Sequence, residues 1–206
     1  MYQRPYDPTR PVGCLDEASK ELHDLPRGRL PVEPGQALRQ DDAYERRGVA
    51  NLFLAIEPRR GWRNVRVTER RTRCDCAEQL RLLSDEEYPQ AERIVLVVDT
   101  LNTHGPGALD EAFEPEAAHR LAARFEWHDT PEHGSWLNIT ECERSVLQRQ
   151  CLDRPIPAMR TLTREVSAGE ERRNQAWRKV IWHFPTADAR INLRRLDPAV
   201  KEQNLT

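Results

Sequence analysis

Runs of apolar residues, some continuous and some alternating, predict five β-strands in this chain. "IVLVV" (94–98) is apolar at every position, as expected of a central strand with both faces covered. "WRNVRVTER" (62–70) alternates Val65 and Val67 with polar residues, which is the period-two pattern of a half-buried strand. The turn "EPRRG" (57–61) joins it to the apolar run "ANLFLAI" (50–56), which predicts a hairpin. Shorter runs at 12–16 and 124–129 predict the two remaining strands.

Apolar residues at helical spacing predict the connecting helices. Cys76, Leu80 and Leu83 share one face, and Thr72 and Asp75 have the spacing of a capping box at the start of that helix. Further helices are expected over 108–113, 116–123 and 161–173, and within "LNITECERSVLQRQ" (137–150). The order is strand, hairpin, helix, strand, helix, strand, helix, which predicts an α/β fold of the ribonuclease-H-like type. Its mixed sheet combines an antiparallel meander with parallel strands and carries helices on both faces.

A single domain is predicted for residues 1–206, because a chain of this length usually forms one core. Residues 17–48 contain three prolines and little periodicity, so a long insertion loop is expected there. Residues 159–206 are expected to form a basic helical extension that ends in "TADARINLRRL" (186–196).

Composition favours a globular protein with a highly charged surface, since 38% of the residues are apolar and 32% are charged. No apolar run approaches the roughly 18 residues of a membrane helix, and the first residues lack the hydrophobic region of a secretory signal. We therefore expect a cytoplasmic protein without a membrane partner. The five cysteines lack zinc-like spacing and are expected to be reduced, mostly packed thiols.

Two acidic residues follow predicted strands that would be neighbours in this fold. Asp16 ends the first strand and Asp99 ends "IVLVV", so both belong to the sheet edge where ligands gather in open α/β sheets. Glu141 would enter from the helix after "HGSWLN" (133–138). Three converging carboxylates suit hard cations, and a pair of Mg²⁺ or Mn²⁺ ions suits phosphoryl transfer.

Each of these acids also has a purely structural interpretation. Asp99 is a favourable cap for the turn or helix that follows its strand. Asp16 is followed by Glu17, so the two could form an ordinary solvated pair. Asn138 and Glu141 have capping-box spacing, and Thr140 and Glu143 repeat that spacing two residues later.

Basic residues are concentrated in two blocks despite a net charge of −2. Such blocks can follow a phosphate backbone, although a solvated arginine face is the equally good alternative. The residues expected to bind DNA are Arg59, Arg60, Arg63, Arg66, Arg70, Arg71 and Arg73 in the first block, and Arg194 and Arg195 in the second.

At its acidic motifs the chain resembles a known family. "CLDE" (14–17), "VVDTLNTH" (97–104) and "TPEHGSWLNITECERSVLQRQCLDR" (130–154) are similar to the three motifs of DDE transposases of the insertion sequence 630 branch of the mariner superfamily. The resemblance implies that Asp16, Asp99 and Glu141 are the catalytic acids and bind two Mg²⁺ or Mn²⁺ ions, with Asp16 bridging both. It further implies cleavage of DNA at transposon ends, followed by attack of the freed 3′ hydroxyl on target DNA. Thr100, His104 and Asn138 are expected to support the acids from nearby.

Three departures from the family pattern leave alternatives open. Thr100 replaces the usual asparagine, and Arg144 stands where the family has an apolar residue, one turn from Glu141, with which it could pair. An N-terminal helix-turn-helix region, which reads the element ends in the family, is expected to be absent. The partner would then be a second copy of the chain, or a missing or separately encoded DNA-binding half. The alternative functions are a ribonuclease-H-like nuclease or resolvase, and an inactive DNA-binding remnant of a transposase.

Overall fold

The computed structural model describes residues 1–26, 35, 43–99, 105–131, 134–184, 188 and 191. These residues contain a five-stranded mixed sheet in the order β3-β2-β1-β4-β5. β1 pairs with β2 and β2 with β3 in antiparallel fashion, whereas β4 is parallel to both β1 and β5. The bounds are β1 Val12–Asp24, β2 Glu45–Glu57, β3 Trp62–Thr68, β4 Ile94–Val98 and β5 Phe125–Asp129. The predicted meander with added parallel strands is confirmed.

Three of the predicted helices lie in the connections between strands, and two follow the last strand. Their bounds are α1 Arg73–Arg81, α2 Pro106–Ala112, α3 Pro115–Ala122, α4 Thr140–Leu147 and α5 Met159–Gln175, and π-helical segments, Leu82–Glu87 and Gln148–Leu152, extend α1 and α4. The capping box of α1 is confirmed, because Thr72 Oγ1 accepts the Asp75 N–H at 3.2 Å and Asp75 Oδ2 accepts the Thr72 N–H at 3.0 Å. None of the described helices is long and apolar enough to cross a membrane.

Separate hydrophobic clusters cover the two faces of the sheet. Leu15, Phe53 and Leu96 pack with α1, α2 and α3 on one face. Leu22, Leu52 and Leu54 pack with α4 and α5 on the other. Because side chains alternate along a strand, Asp16 lies on the α4 and α5 face, opposite to its neighbour Leu15. The expectation of helices on both faces is confirmed.

The prediction of an insertion loop at 17–48 is wrong at both ends of that range, where the structure has strands. β1 continues to Asp24 and β2 begins at Glu45, and the two strands pair from Cys14↔Ile56 to Asp24↔Glu45. The second half of β1 is a strand because Ala18 and Leu22 pack on the α4 and α5 side, while Ser19 and Glu21 alternate with them. Residues 27–34 and 36–42 lie outside the described residues.

The basic helical extension expected at 159–206 agrees with the structure only in α5. Residues 178–184 are not helical, and they pack against the turn between β2 and β3, where the Val180 N–H donates to Pro58 O at 3.0 Å. Gly61 permits this contact: its φ is +74°, and a Cβ there would lie 2.8 Å from the carbonyl carbon of Trp177. Apart from Asp188 and Ile191, the predicted terminal helix lies outside the described residues.

Candidate active site

The parallel pairing of β1 and β4 brings Asp16 and Asp99 to equivalent positions. The paired residues run from Val12↔Val95 to Cys14↔Val97. Asp16 lies two residues beyond Cys14 on β1, and Asp99 directly follows β4, two residues beyond Val97, so both lie just past the last paired residues of the two strands. The sequence suggested that Asp16 ends its strand, but β1 continues beyond it to Asp24. It lies where β4 leaves β1, while β1 continues along β2 through the pair Asp16↔Leu54.

Local hydrogen bonds orient the Asp16 carboxylate. The residue is 8% exposed, and its Oδ1 accepts the backbone N–H of Glu17 at 2.8 Å. Its Oδ2 lies 3.3 Å from the hydroxyl of Thr140, the first residue of α4. That hydroxyl is closer to Asn138 Oδ1, at 2.7 Å, and its single proton can serve only one of them at a time. Asp99, which directly follows β4, is half-buried.

Asn138 ties the start of α4 to β1. Its Nδ2 donates to Leu15 O at 2.9 Å, and its Oδ1 accepts from the Thr140 N–H at 3.2 Å. Neither of the two capping boxes is present, because the Glu141 carboxylate accepts from Arg144 and the Glu143 carboxylate accepts from Arg173. Asn138 is 1% exposed, so this buried amide sets how closely the first turn of α4 approaches Asp16.

Glu141 occupies the exposed side of the first turn of α4. It lines a groove of about 530 Å³ together with Arg144, Arg149, Ala18 and Lys20. Ala18 and Lys20 follow Asp16 at intervals of two along β1, so Glu141 and Asp16 face the same side of the sheet. The Glu141 carboxylate accepts from Arg144 Nη2, and the two side chains are 30% and 47% exposed. The pairing that the sequence suggested for Arg144 is therefore present.

The donor chemistry of these residues fits a divalent cation. The three predicted ligands are all carboxylates, without a thiolate or imidazole among them, as hard cations such as Mg²⁺ and Mn²⁺ prefer. In the described part of the chain, no group of three or more His, Cys, Asp or Glu residues is gathered closely enough to hold a metal. Glu141 is instead engaged by Arg144, so a three-carboxylate site requires Glu141 to exchange that guanidinium for metal. Thr100 and His104, which were expected to support the acids, lie outside the described residues.

The first arginine block does not form one surface. Arg66 pairs in register with Phe53, so it lies on the α1 face of the sheet, opposite to the acids. Arg63 was expected to bind DNA, and this expectation is wrong, because its side chain is 1% exposed and ion-paired with buried Glu143.

The remaining arginines of that block have local partners or are solvated. Arg60 pairs with Glu87 and lies 6.0 Å from the ring centroid of Trp62. Arg59 donates to the backbone carbonyls of Tyr2 and Arg4. Arg71 pairs with Glu17 and Arg73 with Glu111, each at 3.4 Å. Arg70 is exposed. Arg194 and Arg195 lie outside the described residues.

Three residues of the site were missed from the sequence. Lys20 and Arg149 line the groove beside Glu141, and Glu143 is buried behind it. Lys20 was missed because residues 17–24 had been interpreted as loop. The alternation Asp16, Ala18, Lys20, Leu22 is the signal that could have revealed it.

Asp16 lies on β1, Asp99 directly follows the parallel strand β4, and Glu141 lies on the later helix α4. The family model of the DDE superfamily endonucleases matches residues 11–163, and the chain belongs to this family. The resemblance inferred from the motifs is confirmed at that level.

Solved structures of Mos1 transposase are similar to this chain at low identity. The pre-cleavage Mos1 transpososome has a TM-score of 0.39 at 12% identity, covering 82% of this chain and 55% of that one. The Mos1 strand transfer complex has a TM-score of 0.37 at 15% identity, with coverages of 84% and 56%. The chain thus spans just over half the length of these Mos1 chains. None of the curated protein sequences matches it.

Proposed function

We propose that this chain is the catalytic domain of a transposase, which cleaves DNA at transposon ends and joins the freed ends to target DNA. Membership of the DDE superfamily gives the class of chemistry. The observation that supports the proposal is the parallel pairing of β1 and β4, because Asp16 on β1 and Asp99 directly after β4 lie just past the last paired residues, while Glu141 lies in the first turn of α4. In a phosphoryl transfer, such a group of acids serves as metal ligands and not as proton carriers.

In this proposal each acid has a defined task. Asp16 would hold the cations together with Asp99 and Glu141, and the Glu17 N–H keeps one of the Asp16 oxygens oriented. Asp99, directly after β4, would be the second ligand, and Glu141 would be the third once its carboxylate leaves Arg144. Two Mg²⁺ or Mn²⁺ ions, when bound, stabilise the attacking and leaving oxygens of an in-line phosphodiester displacement.

The groove beside Glu141 offers a path for the DNA backbone. Lys20, Arg144 and Arg149 line it, and their positive charges lie along the side of α4 that carries Glu141. Phosphate contacts from Lys and Arg fix the register of a protein on DNA without reading its sequence. The groove would therefore hold a phosphodiester near the three acids.

The ion pair between Arg144 and Glu141 also favours a second candidate, an inactive DNA-binding remnant. If Glu141 kept Arg144 permanently, the third ligand would be lost while the basic groove still bound DNA. Calorimetry with Mn²⁺ separates the candidates. A transposase domain binds Mn²⁺, whereas a remnant retains only salt-sensitive DNA binding.

The proposed function is tested with Asp99→Asn and Glu141→Gln. Both variants are expected to fold and to lose Mg²⁺-dependent nicking of a supercoiled plasmid, together with joining of a duplex 3′ hydroxyl end to that plasmid. Glu111→Gln is the matched control, since Glu111 is an exposed acid that pairs with Arg73 away from the site. Nicking at the wild-type rate by both variants would overturn the assignment of the acids. Cleavage of RNA–DNA hybrids or branched DNA without any joining would favour the nuclease or resolvase.

A further inference from the structure

Glu143 lies two residues beyond Glu141 on α4 but on the opposite side of the helix. Two residues correspond to about 200° around a helix, so Glu143 faces the protein when Glu141 faces the groove. Its side chain is 3% exposed. Arg173 of α5 binds the Glu143 carboxylate with two hydrogen bonds, Nε to Oε1 at 2.6 Å and Nη2 to Oε2 at 2.8 Å. Arg63 of β3 adds an ion pair, with its Nε 3.2 Å from Oε1.

The two arginines belong to a rigid frame formed by β3 and α5. Asn174 of α5 binds both backbone groups of Arg63, accepting its N–H at 2.9 Å and donating to its carbonyl at 2.7 Å. Glu170, one helical turn earlier, accepts the Val65 N–H at 2.7 Å. These side chains provide hydrogen-bond partners for backbone groups at the outer edge of β3, which no further strand covers in the described sheet.

Directional bonds of this kind define the rotation of a helix more narrowly than apolar packing does. A bidentate arginine–carboxylate pair is satisfied in only one planar arrangement, whereas aliphatic contacts tolerate small rotations. Burial removes water as an alternative partner. It also lowers the pKa of the Arg63 guanidinium, whereas the negative charge of Glu143 acts to raise that pKa. Because desolvation offsets much of the attraction between buried charges, such a pair adds little net stability.

We propose that Glu143 is a positioning residue that acts through α4, with Arg63 and Arg173 clamping it so that Glu141 faces the metal site. This inference rests on the proposed function, because Glu141 needs a defined position only as a ligand. Asn138 sets the approach of the first turn to β1. The Arg63–Glu143–Arg173 clamp sets the rotation of the same turn. Metal ligands must be held within about half an ångström of their working geometry, which two independent anchors provide.

The test measures Mn²⁺ affinity by calorimetry on the whole chain. Glu143→Gln keeps the shape of the side chain but removes the charge that both arginines share. We expect Mn²⁺ to bind about tenfold more weakly, which is the usual loss when a residue that orients a metal ligand is replaced. Arg173→Lys keeps the charge but loses the two-pronged geometry, and a several-fold loss is expected. It also carries the test if Glu143→Gln does not fold. Glu165→Gln, which removes an acid of α5 paired with Arg154, is the control and should bind as the wild type does.

A double-mutant comparison separates positioning from general structural support. In a Glu141→Gln background the positioned ligand is already gone, so Glu143→Gln should cause no further loss of Mn²⁺ affinity. An equal loss in both backgrounds, or no loss in either while the wild type binds Mn²⁺, would overturn the positioning role.

Amide hydrogen exchange over residues 138–147 provides a readout that is independent of metal. Exchange there should accelerate in Glu143→Gln and remain unchanged in Glu165→Gln. If the wild type bound no Mn²⁺ and Asp99→Asn changed nothing, the proposed function would fail and the positioning role with it. Unchanged exchange would instead refute the clamp alone.

Discussion

Helix α4 carries two glutamate–arginine pairs that differ in almost every physical respect. Glu141 and Arg144 pair within one turn of the helix and are 30% and 47% exposed. Glu143 is 3% exposed and is bound by two guanidiniums from separate elements, β3 and α5. The first pair faces the groove and the second faces the protein interior.

The difference decides which carboxylate can take part in chemistry. An exposed ion pair contributes about 0–1 kcal/mol, so water, metal or phosphate can replace either partner easily. A buried pair cannot be exchanged without leaving a desolvated charge behind. Glu141 is therefore the carboxylate that can exchange its partner, whereas Glu143 is held in place.

The sharpest way to break this comparison is to replace each glutamate with alanine. Glu143→Ala should lower the free energy of unfolding by about 3–5 kcal/mol, because Arg63 and Arg173 lose their shared counterion. Glu141→Ala is the matched control on the same helix and should change it by no more than about 0.5 kcal/mol. Urea unfolding followed by circular dichroism measures both. Similar losses for the two variants would mean that burial does not distinguish the pairs.

A smaller effect is expected at Asn138, which links the start of α4 to β1. Asn138→Ala removes the donor to Leu15 O and the acceptor for the Thr140 N–H, and it leaves these buried groups without their partner. The expected loss of stability is about 1–3 kcal/mol. Gln175→Ala, at an exposed position near the end of α5, should be close to neutral in the same unfolding measurement. A neutral Asn138→Ala would show that α4 does not depend on its link to β1.

DNA binding should respond to the exposed arginines and not to the buried ones. Replacing Arg144 and Arg149 with glutamine is expected to flatten the slope of log affinity against log salt by about two, one for each lost phosphate contact. Fluorescence anisotropy with a labelled duplex between 50 and 200 mM salt gives that slope. The paired variant Arg70→Gln with Arg73→Gln tests the first arginine block in the same way. If only the second pair of substitutions changed the slope, the DNA path would run along that block and not along the groove.

The sequence predicted the mixed sheet because its strands and their connections depend on local patterns. Alternation and apolar runs identified the strands, and strand–helix order then made β1 and β4 parallel neighbours, as observed in the pair Cys14↔Val97. The second half of β1 was missed because "EASKELHD" (17–24) is rich in charge. Only in the folded chain, where it pairs with β2, do Leu22 and the partly buried Ala18 pack with the apolar residues of α4 and α5.

The roles of individual charges could not be predicted from the chain alone. Arg63 lies among seven arginines that look alike in sequence, and only its contact with a glutamate 80 positions later distinguishes it. The spacing of Thr140 and Glu143 suggested a capping box, which is a local interaction. The long-range partner Arg173 prevails because it offers a desolvated, two-pronged bond that a helix terminus in water does not.

The smallest effect is expected for Arg144→Gln, which tests how readily Glu141 exchanges its partner. Removing the guanidinium should change the free energy of unfolding by no more than about 0.5 kcal/mol. The same energy corresponds to about a twofold gain in Mn²⁺ affinity, because Glu141 no longer has to leave Arg144 before it binds metal. Arg164→Gln, which removes the exposed partner of Glu165, should leave the affinity unchanged in the same calorimetric titration. A gain of tenfold or more would mean that Arg144 holds Glu141 firmly, and the exposed pair would then resemble the buried one in strength.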